Sequence, residues 1–548
     1  MTQPFQPPLE MFYHWEAQRP DATWLRQPEG AEWRDYSWSQ AGAQARRLAA
    51  ALQNMGLKHD DKVGIYAANS ANWIIADLAI MMAGGVSVPI YTTMPEDKVS
   101  YVIDHSEMKF LFADDSGALS PKSFVDSYGD DLQVISMGAA TTKHHLGALL
   151  ETTAPIDGNP VRDIDDLWTI VYTSGTTGQP KGVMHSFRTL PSSGAAIPAQ
   201  LGMSEDTRYF SYLPLAHVAE RSVVELQSFY SGGMIGFNQS LETFVPDLCE
   251  IRPTYFFAVP RIWAKLKMSL IAKMGDATWT KIMQDEAFAA EMGKTLLANL
   301  GLDQLVIAAT GSAPTPADDI KAWCQLGVPL REGYGMSETM SGTFNQIDVH
   351  RIGSVGKLIA EGSELKLSAE GEILFRSQGN MLGYYKAPDK TAETIIDGWV
   401  HTGDKGRIDE DGFLFITGRV KEIFKTAKGK YVAPSPIEQK FSTIPLIEQS
   451  CLVGRGMVQP ALLTILAESD TSREDLTAAL TEQLGKINPT LEAHERIDHI
   501  VICREPWTIE NGLLTHTMKM KRDVIEEHYV PLLEQIAKEG GEAVVWED

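Results

Sequence analysis

Lys62-Val-Gly-Ile-Tyr-Ala-Ala68, residues 72–83 and Val86-Ser-Val-Pro-Ile90 read in succession as a short buried strand, a helix and a second strand. Just upstream, residues 39–55 carry Ala, Leu and Arg at helical spacing and stop at Gly56, as an amphipathic helix does. Downstream the rhythm recurs, with strand-like runs at 167–172, 255–259 and 304–310, each followed by a helical or loop segment. That alternation predicts an α/β fold with mostly parallel sheets flanked by helices. From about residue 353 the texture changes to short alternating runs punctuated by Gly and Asp, such as Ser363-Glu-Leu-Lys-Leu367 and Gly412-Phe-Leu-Phe-Ile416. These predict an antiparallel β subdomain over about 350–418. The 548 residues exceed what one core supports, roughly 250–300. The expected division is a large N-terminal part, 1–418, and a small α+β domain, 419–548.

Lys and Arg total 48 against 72 Asp and Glu, a net charge of −24. Such a surface repels nucleic acid and anionic lipid, so an anionic ligand has to be captured at a local site. The four cysteines, Cys249, Cys324, Cys451 and Cys503, form no C-x-x-C pair and fit a reducing compartment better than a disulfide framework or a zinc site. The first residues lack a basic segment leading into an apolar one, so no signal peptide is expected. The most apolar stretch, 73–90, contains Asp77 and is broken by Gly84-Gly85, which predicts a buried helix running into a strand rather than a transmembrane span. A cytoplasmic protein is expected, with peripheral membrane contact and oligomeric state left open.

The densest chemistry lies in Tyr172-Thr-Ser-Gly-Thr-Thr-Gly-Gln-Pro-Lys-Gly182, directly after an apolar strand. Glycines let a backbone turn its N–H groups toward an anion, hydroxyls add donors, and Lys181 adds a point charge. The combination suits a triphosphate. The spacing Gly175-x-x-Gly178-x-x-Lys181 is not that of a Walker A loop. Gly333-x-Gly335 lacks the third glycine of a dinucleotide fingerprint, and Glu338 stands in its place. His494 and His499 are five apart and would diverge by ~140° on a helix, too far to share a metal. No G-x-S-x-G elbow is present.

The 172–182 stretch resembles the phosphate-binding loop of the adenylate-forming (AMP-binding) superfamily, and further signatures of that family follow in order to residue 522. The resemblance implies ATP binding by Thr173, Ser174, Gly175, Thr176, Thr177, Gly178 and Lys181. Gly311-Ser-Ala-Pro314 resembles the turn along the adenine and acyl sites, with Gly311 and Ser312 at the nucleotide. Gly333-Tyr-Gly-Met-Ser-Glu-Thr339 is similar to the adenine motif. Gly333 and Gly335 would belong to the ATP site, Tyr334 would stack on the purine, Thr339 would touch the α-phosphate, and Glu338 would hold Mg²⁺. Asp397-Gly-Trp-Val-His-Thr-Gly-Asp404 resembles the signature whose aspartate, here Asp404, accepts from the ribose hydroxyls. In Gly418-Arg-Val-Lys-Glu422, Arg419 would contact ribose or phosphates and Lys421 matches the interdomain hinge. Thr515-His-Thr-Met-Lys519 resembles the C-terminal lysine motif, with Met518 in place of its usual glycine. Lys519 is then the catalytic lysine and Lys521 its nearest competitor.

Leu213-Pro-Leu-Ala-His-Val-Ala-Glu-Arg221 resembles the long-chain form of the acyl-tunnel motif, with His217 at the gate or the substrate. Pro253-Thr-Tyr-Phe-Phe-Ala-Val-Pro-Arg-Ile-Trp-Ala-Lys265, Met381-Leu-Gly-Tyr-Tyr-Lys386 and Thr426-Ala-Lys-Gly-Lys-Tyr-Val-Ala-Pro434 are also similar to long-chain fatty acid–CoA ligases. The resemblance thus implies an enzyme that uses ATP, Mg²⁺ and coenzyme A to activate a carboxylic acid, a medium- to long-chain fatty acid by this branch. A ligase that loads a carrier protein and an inert nucleotide- or acyl-binding homologue remain as alternatives.

Overall fold

The computed structural model describes residues 6–139, 142–173, 179–195, 197–442, 444, 446–467, 471–515, 519–540 and 542–547. The chain divides into two compact units. One holds Met1–Ala313, Asp318–Lys366 and Leu374–Thr402, and the other holds Pro314–Ala317, Leu367–Ile373 and Gly403–Asp548.

The first unit is built on two sheets. In one, the spatial order is Gly383–Tyr384, Lys181–Ser186, Leu167–Thr173, Val86–Ile90, Lys62–Tyr66, Phe110–Ala113, Gln133–Ser136 and His144–His145. Pairing is parallel from Leu167–Thr173 outward to His144–His145 and antiparallel at the other end. The second sheet has a parallel centre, Leu330–Met336, Ile307–Thr310, Tyr255–Ala258, Arg208–Ser211, Met234–Phe237 and Thr23–Glu29. Antiparallel hairpins close both of its edges.

The opening β-α-β reading corresponds to Lys62–Tyr66, the helix Ala71–Ala83 and Val86–Ile90. Ser70 caps that helix by accepting from Trp73 N–H, and Gly84, at φ +91°, ends it in a left-handed turn. The helix is buried along its length apart from Asn72, because it packs on Lys62–Tyr66 of one sheet and Thr23–Glu29 of the other. This burial accounts for its lack of a polar face. The upstream helix, Trp38–Asn54, starts in a capping box of Ser37 and Gln40. The strand expected at 255–259 ends at Ala258, since Pro260 opens the helix Pro260–Met274. The strand expected at 304–310 begins only at Ile307, after the exposed Val306.

The second unit carries a four-stranded sheet, Ile447–Val453, Ala461–Leu466, His499–Ile502 and Val544–Trp546, antiparallel at the first pair and parallel at the next two. One face packs Leu452, Leu462, Ile500 and Leu480, and the other packs Leu463, Val501, Trp507 and Ile525. Trp399–Ile408 runs across the division of the chain, pairing antiparallel with Ile395–Ile396 at its start and with Leu414–Arg419 at its end. No helix among the described residues is long and apolar enough to cross a membrane.

Candidate functional site

Residues 174–178 of the hydroxyl-rich loop lie outside the described residues, and its two ends are visible. Thr173 closes one strand and Lys181 opens the next, paired antiparallel so that Tyr172 faces Gly182 and Thr173 faces Lys181. The loop therefore connects two paired strands of a hairpin in a sheet whose buried strand, Leu167–Thr173, fixes where it emerges.

Two further segments of the first unit meet this hairpin. Gly383–Tyr384 pairs with Val183 and Met184. Tyr384 Oη donates to Glu338 Oε1 at 2.7 Å, and Lys181 Nζ lies 5.0 Å from the centre of the same ring. Glu338 itself sits in the turn Ser337–Thr339, which joins the hairpin Leu330–Met336 and Met340–Phe344. Met381 N–H donates to the Glu338 carbonyl at 2.8 Å, and Thr339 N–H to that of Met336 at 3.1 Å. His185 ties the two hairpins together. Its Nε2 donates to the Ser337 carbonyl at 2.7 Å, which leaves Nδ1 to accept from the Thr189 hydroxyl at 3.1 Å. Burial pushes His185 down to about 4, so the ring is neutral and serves as a fixed link.

The turn after Ile307–Thr310 approaches so closely that a Cβ on Gly311 would lie 2.9 Å from the Gly333 carbonyl oxygen. A Cβ on Gly333 would lie 2.8 Å from the Phe344 ring, so both positions need glycine for space. Ser312, at φ +68°, holds a left-handed conformation unusual for a residue with a side chain, and such strain collects at ligand sites. Tyr334 is half-buried and stacks on Phe375 at 6.0 Å, and Gly335 is exposed at the bulge beside it. Thr339 is 3% exposed, and its hydroxyl has no hydrogen-bond partner among the described residues. An orphaned buried hydroxyl beside a carboxylate and a lysine has the composition that a phosphate oxygen and a hard cation complete. No group of three or more metal-ligating side chains occurs among the described residues. A divalent ion at Glu338 would thus draw its remaining ligands from phosphate and water, as Mg²⁺ does in nucleotide sites.

His217 caps the short helix Val218–Glu220, its Nδ1 accepting from Ala219 N–H at 3.0 Å, and packs edge-on near Tyr91. The loop before it is clamped by Asn69, which accepts from Leu215 N–H and donates to the Leu213 carbonyl and the Ser211 hydroxyl. Behind it Arg221, fully buried, bridges Asp77 Oδ2 at 2.7 Å and Glu225 Oε2 at 2.9 Å, and donates to Ser87 Oγ and Thr169 Oγ1. The Trp73 and Trp168 rings flank its guanidinium.

In the second unit, Asp404 and Arg419 face each other across the hairpin, with Arg419 Nε on Asp404 Oδ1 at 2.9 Å. Lys421 is exposed in the turn that follows, where Glu422 and Ile423 N–H both donate to the Arg419 carbonyl. Residues 516–518, Met518 among them, lie outside the described residues; Lys519 is exposed, with Thr515 N–H donating to the Lys519 carbonyl and Lys521 N–H to the Leu513 carbonyl. Arg522, just beyond, is held by Glu438 and the Leu452 carbonyl. His494 and His499 each hydrogen-bond a backbone carbonyl, from a turn and a strand rather than one helix.

Two sheets, a strand-ended hydroxyl-rich loop and a turn in which Gly311 and Gly333 meet closely are the features from which the class follows. The chain belongs to the AMP-binding enzyme family, whose model matches residues 12–385, with the family's C-terminal domain matching 421–539. A long-chain-fatty-acid–CoA ligase of Mycobacterium bovis is 30% identical over 584 residues, covering 96% of both chains. One from Xenopus laevis is 29% identical over 94% of this chain and 82% of that one. Among solved structures, an anthranilate–CoA ligase in complex with anthranoyl-AMP superposes with a TM-score of 0.80 at 20% identity, over 97% and 99% of the two chains. The o-succinylbenzoate–CoA synthetase of Bacillus subtilis with ATP and magnesium gives 0.74 at 20%, over 94% and 99%. These likenesses establish the fold.

Proposed function

We propose that the protein is an AMP-forming acyl-CoA synthetase that activates a medium- to long-chain fatty acid as an acyl-adenylate and transfers the acyl group to coenzyme A. The observation that carries this reading is the grouping of Lys181, Glu338 and the Thr339 hydroxyl, which has no partner among the described residues, at the end of the hydroxyl-rich hairpin. The names of the full-length relatives support the substrate class.

A carboxylate is a weak electrophile, so activation begins when one of its oxygens attacks the α-phosphorus of ATP. Negative charge then builds on the α-phosphate and on the departing pyrophosphate. Lys181 and the loop amides and hydroxyls hold the β- and γ-phosphates, the Thr339 hydroxyl donates to the α-phosphate, and Lys519 stabilises the charge as the bond breaks. Tyr334 supplies a flat face for adenine, Gly311 and Gly333 let the backbone approach it, and Asp404 accepts from the ribose hydroxyls beside Arg419. Glu338 would hold Mg²⁺, which supplies neutralisation of phosphate charge when bound. In the second step the C-terminal domain turns about Lys421, withdrawing Lys519 and admitting the coenzyme A thiol to the acyl carbon, with AMP as leaving group.

Isotope exchange between pyrophosphate and ATP, dependent on added fatty acid, tests the first step. Lys519→Ala should slow that exchange by ~100–1000-fold. AMP release with coenzyme A present and absent, over acids from acetate to palmitate and aryl acids, tests the second step and the substrate class. A purified carrier protein accepting the acyl group in place of coenzyme A would favour the carrier-loading alternative.

A further inference from the structure

Lys181 and Glu338 carry opposite charges in the same cleft, yet among the described residues they form no ion pair. Tyr384 stands between them. Its hydroxyl donates to Glu338 Oε1, and the face of its ring takes the Lys181 ammonium at 5.0 Å. The ring cannot drift, because Tyr384 is buried and lies in register with Val183, and its N–H donates to the Thr391 hydroxyl at 2.9 Å. The phenol is doubly engaged, since the Thr394 hydroxyl also bonds it.

The geometry points to Tyr384 as a positioning residue that keeps Lys181 from pairing with Glu338 and turns the Glu338 carboxylate so that Oε2 is presented to a divalent cation. The inference rests on the adenylating reading, since it assigns Lys181 to phosphate and Glu338 to metal. A direct Lys181–Glu338 pair would satisfy both groups in the empty site and oppose the entry of a metal–nucleotide complex. The phenol prevents this by giving each charge a separate neutral partner. Groups that orient metal ligands typically cost 10–100-fold in metal affinity when removed.

The test is calorimetric titration of the full-length enzyme with ATP, without acid or coenzyme A, in excess Mg²⁺ and separately in EDTA. Wild type should bind ATP more tightly in Mg²⁺. Tyr384→Phe keeps the ring and removes the hydroxyl, so it should lose about tenfold in the Mg²⁺ titration and stay within about twofold of wild type in EDTA. Tyr384→Leu also exposes Lys181 to Glu338 and should weaken binding in EDTA as well. Equal losses of Tyr384→Phe in both buffers, or a lowered melting temperature alone, would mark the residue as merely structural and overturn the assignment. Unchanged binding in both buffers would overturn it too. Wild type that binds no ATP in either buffer would instead remove the adenylating reading, and this inference with it.

Discussion

Glu220 is 1% exposed and precedes Arg221, but its carboxyl turns to the preceding strand, accepting from Tyr212 N–H at 3.1 Å and bonding the Ser211 hydroxyl. Burial is the dominant influence and pushes it up to about 8 from an ordinary value near 4.5. The folded protein thus holds a proton that the unfolded chain releases. That stability is fully present below the unfolded value and is lost as pH rises through the folded one. The loss should approach ~1.4 kcal/mol per pH unit between about pH 5 and 8. Glu220→Gln keeps the amide acceptance and cannot titrate, so its urea-unfolding free energy should run flatter than wild type across that window. Parallel curves would reject a buried neutral Glu220. At this scale the sequence was informative only where a motif groups its residues. Lys181, Glu338 and Thr339 could be singled out, whereas Tyr384 and His185 owe their importance to contacts 46 and 152 residues away along the chain. No local pattern encodes such separations.

Helical structure runs from Val218 to Ser231, and its middle turn, Arg221–Glu225, is a π-helix. Arg221 and Glu225, four residues apart, pair along it as i,i+4 side chains do on an ordinary helix, and π-turns are frequent at functional sites. One guanidinium cannot neutralise both Asp77 and Glu225. Burial and the Asp77 carboxylate raise Glu225, against the lowering effect of Arg221, so a proton on Glu225 leaves the cluster balanced. Arg221 also reaches Ser87 and Thr169 of adjacent strands, so the helix that follows His217 is bolted to the strand leading into the hydroxyl-rich loop. Arg221→Met would strand buried carboxyls and should cost about 3–5 kcal/mol in equilibrium unfolding. A loss below ~1 kcal/mol would mean that the cluster is already neutral without it. The regular elements were readable because their periods are regular, as with residues 39–55 and the apolar runs flanking 72–83. The π-turn was not, because the extra residue breaks the 3.6 period. Asp77, a blemish in an apolar run when read along the chain, becomes intelligible only beside an arginine 144 residues later.

Across the whole molecule, the residues assigned to one reaction are shared between two compact units. Thr173, Lys181, His217, the Gly311 turn, Tyr334, Glu338 and Thr339 belong to the first, and Asp404, Arg419, Lys421 and Lys519 to the second. The α/β alternation and the later antiparallel texture announced the architecture, because each comes from local burial patterns. The partition itself has no such signature: the chain also crosses it around Pro314–Ala317 and Leu367–Ile373, and its last crossing falls inside the strand Trp399–Ile408, where nothing in the composition changes. The proposed two-step reaction would give this division a purpose, since on that reading Lys519 promotes adenylation and has to leave before a thiol can approach. The family's C-terminal match begins at residue 421, where Lys421 lies exposed in a turn and free of strand pairing. Proline there would lock φ near −65° and narrow the dihedrals through which a rotation could pass. Lys421→Pro should therefore keep fatty-acid-dependent pyrophosphate exchange within a few-fold of wild type. Its single-turnover rate of thioester formation from preformed acyl-adenylate should fall by at least ~100-fold, because the step limited by rotation is the one blocked. Loss of both half-reactions in equal measure would place Lys421 in the chemistry or the folding of the second unit, and the pivot would have to be sought elsewhere in the chain.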